Sequence, residues 1–71
     1  MNEKVCERIK ELRVENRYAQ KDIAKMLCIS QATYSRMERG TVPVLYDQAL
    51  KISKFYEVHI REVYPGELHQ N

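Results

Sequence analysis

At 71 residues the chain is one small domain with no room for a second, and a composition 44% hydrophobic and 31% charged argues against disorder. No apolar run approaches the ~18–20 residues of a membrane span. The opening MNEKVCERIK holds no signal-peptide core, so a cytoplasmic protein is expected. The net charge of +2 names no partner by itself, but it is unevenly placed: residues 1–40 carry nine Lys/Arg against six Asp/Glu, and residues 41–71 carry three against four.

The first helix is expected from Asn2 to about Arg17, where Val5, Ile9 and Leu12 recur at i, i+4 and i+7 with Cys6 beside the stripe. Asn16-Arg17-Tyr18-Ala19 is a short polar connection, and Tyr18 is expected to pack, half-buried, near the start of the next helix. That second helix runs from about Gln20 to Leu27, with Ile23, Ala24 and Leu27 on one side. Ala19 is a poor N-cap, and Asp22 suits the first-turn dipole. After a corner at Leu27-Cys28-Ile29-Ser30, Ser30 caps a third helix from Gln31 to about Arg39, which stops at Gly40. Tyr34 and Met37, three apart, are core residues; Gln31, Ala32, Ser35 and Arg36 face elsewhere, on a small, polar and basic surface. Such a face fits the DNA major groove, where amides and guanidinium groups read base edges. Two short helices in this arrangement form a helix-turn-helix candidate.

A loop over Thr41 to Leu45 contains Pro43, and a fourth helix follows from about Tyr46 to Tyr56. Its inner face is expected to hold Tyr46, Ala49, Leu50, Ser53 and Tyr56, with Ile52 at the edge. Val58 returns to the core, and a last short helix over about Ile60 to Tyr64 ends at Pro65-Gly66. His59 is a cap or a surface residue. The expected organisation is therefore an all-α, compact five-helix domain over residues 1–66 with a polar tail over 67–71. Cys6, Cys28, His59 and His69 match no common zinc spacing, and the two thiols are expected free and buried, so no metal or other cofactor is implied.

These pieces resemble the Cro/phage-repressor (xenobiotic-response-element, XRE) class of helix-turn-helix regulators. The resemblance is carried by Ile9-Lys10-Glu11-Leu12-Arg13, by the run Ala19 to Ser30, by Tyr34-Ser35-Arg36-Met37-Glu38-Arg39-Gly40, and by Ala49-Leu50-Lys51-Ile52-Ser53. It implies a lambda-repressor-like fold and a cytoplasmic protein of bacterial or phage origin. It also implies a transcriptional regulator, a repressor in the first reading, that binds double-stranded DNA as a homodimer on a palindromic operator. Gln31, Ala32 and Arg36 occupy the base-reading positions of the family. Gln20, Thr33, Ser35, Arg39, Gly40 and Thr41 fall where DNA-backbone contacts are made. Glu38 is implied to be structural, pairing with a cation such as Arg13. The chain departs from the family pattern at Cys28 and Glu57, both glycine in the pattern, and at Ala19, a serine there. If Cys28 has positive φ, it costs ~1 kcal/mol relative to glycine.

Three other roles fit a chain of this size. An antitoxin would bind a protein toxin as well as DNA, but no long toxin-wrapping tail is present; a restriction-system controller is similarly small. A protein-interaction module without DNA binding is disfavoured by Gln20, Gln31 and Arg36 and by the lack of acidic residues from Gln31 to Met37. Nothing in the sequence pairs a nucleophile with a base or cradles a phosphate, so an enzyme is not expected. Val58, Ile60, Val63, Tyr64 and Leu45 are the candidates for a dimer surface.

Overall fold

The computed structural model describes residues 2–64, with side chains from Lys4 onward. Pro65-Gly66 and the expected 67–71 tail, with His69, lie outside the described residues. Five helices are described: α1 (Asn2–Glu15), α2 (Gln20–Leu27), α3 (Gln31–Arg39), α4 (Tyr46–Tyr56) and α5 (Ile60–Val63). No strand occurs among the described residues, and no helix there is long and apolar enough to cross a membrane. The molecule measures 34 × 25 × 19 Å along its principal axes.

Apolar residues at helical spacing build the core. Val5, Ile9 and Leu12 of α1 meet Ile23, Ala24 and Leu27 of α2, Tyr34 and Met37 of α3, Ala49 and Ile52 of α4, and Val63 of α5. α3 packs on both α1 and α2, while α5 closes on α4 and α1. Arg8 fastens that last closure: Nε donates to the Glu62 carbonyl at 2.9 Å and Nη2 to Glu62 Oε1 at 3.2 Å.

Several local expectations are corrected. α1 ends at Glu15 rather than Arg17, because Arg17 takes a left-handed conformation (φ 64°) in which its N–H reaches Val14 O and that of Tyr18 reaches Arg13 O. Tyr18 packs on the last turn of α4, with its ring centroid 5.1 Å from Phe55 and 6.1 Å from Tyr56. On α4, Ile52 is fully buried rather than at the edge, whereas Tyr46 is 42% exposed. Tyr46 shares the stripe of Ala49 but sits at the helix start, where the chain leaves the core, and leans edge-on against Tyr64 at 5.5 Å. Val44, inside the Thr41–Leu45 loop, is core. Val63 is enclosed in the monomer and drops out of the dimer candidates. Cys6 is buried as expected, but Cys28 is exposed at the corner.

Candidate nucleic-acid interface

Helix α3 has two faces because its apolar residues occur at one angular position. Tyr34, Met37 and Glu38 are buried, at i, i+3 and i+4. That orientation turns Gln31, Ala32 and Arg36 outward, and all three are exposed. Among the described residues no side-chain hydrogen bond or ion pair occupies Gln31 or Arg36. Arg36 can therefore present its full fork to a guanine O6/N7 pair, and Gln31 its amide to an adenine. The only carboxylate of α3, Glu38, points into the protein, which leaves the outward face free of negative charge.

The corner that sets α3 against α2 is built from two caps. Cys28 closes α2 in the left-handed region (φ 61°, ψ 40°), and its N–H bonds back to Lys25 O. Ser30 then opens α3: its Oγ accepts from Thr33 N at 3.0 Å and donates to Thr33 Oγ1 at 2.9 Å. At the other end Gly40 (φ 81°) caps α3, and a Cβ there would stand 3.4 Å from Cys6 Sγ. Thr41 reinforces that end by donating from both N and Oγ1 to Arg36 O, at 3.0 and 3.2 Å.

The expected backbone-contact residues fall into two groups. Arg39, Gly40 and Thr41 are exposed together at the C-terminal end of α3, and Ser35 is tied to Arg39, whose Nη1 donates to its Oγ at 2.7 Å. Gln20 and Thr33 are half-buried at the first turns of α2 and α3. Ala19 has no side-chain acceptor, so only the return half of a capping box closes α2, with Ala19 N donating to Asp22 Oδ2 at 2.9 Å. Asp22 thus does more than complement the helix dipole, and an acidic residue at the third helical position is the signal of this bond.

Beneath the face lies a buried charge. Arg13 Nε donates to Glu38 Oε2 at 2.6 Å and Arg13 Nη2 to Glu38 Oε1 at 3.0 Å, so the cation pairing that the resemblance implied for Glu38 is made by Arg13 and is bidentate. Gln20 Nε2 adds a third bond to Glu38 Oε1 at 3.1 Å, which no sequence pattern signalled. Burial opposes ionisation of Glu38, but the hydrogen bonds from Arg13 and its neighbours outweigh it and hold the carboxyl below the usual carboxylate range. The same environment acts on two buried phenolic hydroxyls, those of Tyr34 and Tyr56, that have no hydrogen-bond partner among the described residues. Burial, then the Glu38 carboxylate, raises Tyr34, and burial pushes Tyr56 up to about 12. Tyr34 lies within the field of Glu38, yet its hydroxyl does not meet hydrogen-bond geometry with it.

The model of a family described as helix-turn-helix, of Cro/C1 type, matches residues 9–63, well over half of the chain. No curated protein and no solved structure matches the chain.

Proposed function

The chain belongs to the helix-turn-helix family of Cro/C1-type DNA-binding regulators, and from that premise we propose that it is a sequence-specific repressor acting as a homodimer on a palindromic operator. The outward face of α3 carries this reading: Gln31, Ala32 and Arg36 are exposed, with no side-chain partner among the described residues, on a helix whose only carboxylate is turned into the core. In this reading Gln31 and Arg36 bond base edges and Ala32 touches a thymine methyl. The exposed end at Arg39, Gly40 and Thr41 and the first turns at Gln20 and Thr33 take phosphates, with Ser35 holding Arg39 in place.

Dimerisation follows from size, since one module of this size makes few contacts and two linked half-sites multiply them. Leu45 (59% exposed) and Tyr46, which leans on Tyr64, are the exposed apolar residues offered to a second copy, whereas Val58 and Ile60 are half-buried against the monomer's own core. The deciding experiment is selection of random duplex DNA on the purified protein at near-physiological salt. An enriched inverted repeat is expected. Retention without enrichment, vanishing as salt rises, would reduce the interaction to nonspecific electrostatics.

A further inference from the structure

Glu38 accepts hydrogen bonds from two other helices at once. Arg13 of α1 holds both of its oxygens, and Gln20, the first residue of α2, donates to Oε1 at 3.1 Å. Gln20 opens α2, and Glu38 stands one residue before the end of α3. Both therefore lie at the helix ends remote from the corner at Cys28–Ser30. The corner joins the two helices covalently on one side, and the Gln20–Glu38 bond joins their open ends on the other. Because Arg13 anchors the carboxylate to α1, these bonds add a directional polar tie at the open ends of α2 and α3 to the apolar packing of α3 on α1 and α2.

We infer that Glu38 is a positioning residue for DNA reading, acting through Gln20. The inference rests on the DNA-binding reading given above. The Gln20 amide carries two N–H groups. One is spent on Glu38, and this aims the other, with the first turn of α2, at a phosphate oxygen. The phosphate contact and the base-reading face of α3 are thereby registered to each other through one buried carboxylate. A side chain preorganised in this way loses little freedom on binding, and base pairing by Gln31 and Arg36 tolerates only small errors in helix placement. Gln20 then contributes to discrimination between sequences as well as to affinity. A plain phosphate contact would strengthen binding to every sequence by the same factor.

The test compares wild-type protein and Gln20→Met, which keeps the length of the side chain and removes the amide, on the selected operator and on the same operator with one substituted base pair. Gln20→Met should weaken the matched site roughly three- to tenfold, as expected for a lost hydrogen bond or two, and should weaken the mismatched site less, so that the ratio between them shrinks. Glu38→Gln should shrink the ratio in the same way, and the double variant should add little to either single one. Equal losses on both sites in Gln20→Met overturn the inference, whether or not Glu38→Gln folds. So does a Gln20→Met protein that melts earlier but binds both sites as wild type does. Wild-type protein that fails to distinguish the two sites defeats the DNA-reading conclusion and this inference together.

Discussion

At position 36 a guanidinium stands exposed, with no side-chain partner among the described residues, on a helix face without carboxylates. Arg36→Ala should therefore leave the fold intact and relax the base preference at one position of each half-site by ~1–3 kcal/mol. Binding to matched and single-mismatch operators reads this out, and equal losses on both would remove Arg36 from the readers. Glu38 differs in being enclosed, so that its loss reaches stability as well as reading. Removing its partner in Arg13→Ala leaves a buried charge uncompensated and should cost about 3 kcal/mol in chemical denaturation. The pH dependence has a definite sign. The folded protein holds the Glu38 proton less tightly than the unfolded chain does, so the pair stabilises the fold above the ordinary carboxylate range, near ~4.3, and that stabilisation is lost as pH falls through the depressed folded value. Melting temperatures between neutral pH and pH 3 should fall less steeply in Glu38→Gln than in the wild type.

At the level of elements, three helices end on a residue that pays for a left-handed conformation without being glycine: Arg17 after α1, Cys28 after α2 and Glu57 after α4, with φ of 64°, 61° and 60°. Cys28→Gly and Glu57→Gly should each raise stability by about 0.5–1 kcal/mol, the relief at positive φ exceeding the added freedom of the unfolded glycine. Thermal denaturation of the two variants measures it directly. Cys28 and Glu57 were legible as departures from a glycine pattern, whereas nothing in Asn16-Arg17-Tyr18 distinguished a left-handed Arg17 from one more helical residue. The facing of α3 was legible because Tyr34 and Met37 are its only large apolar side chains, and that decided which residues look outward. On α4 the apolar residues are too many for periodicity alone to choose a stripe, and so the spacing turns Tyr46 inward and Ile52 to the edge, the reverse of their burial in the fold. Val44 sits outside any periodic segment, and the Gln20–Glu38 bond joins residues 18 apart in sequence, so neither leaves a local signal.

For the molecule as a whole, the long axis of 34 Å is comparable with the ~34–36 Å that separates half-sites on one face of DNA. Two copies set side by side on such a site would come into contact through a narrow surface. Tyr46→Lys, which places a charge on the exposed ring position, outside the α3 face, should lower affinity for a full inverted repeat more than about tenfold and leave half-site binding nearly unchanged. Titration of full and half operators, with sedimentation of the free protein, checks both parts; unchanged full-site binding would place the interface elsewhere. The two cysteines offer a further use of this architecture. One thiol lies in the solvent at the tip of the corner and the other lies under Gly40 in the core. A stoichiometric maleimide dye should therefore mark Cys28 alone, giving each molecule a single fluorophore, so that energy transfer between two copies on one operator would test the proposed pairing. The slow labelling of Cys6 that follows becomes a clock for how often the interior opens.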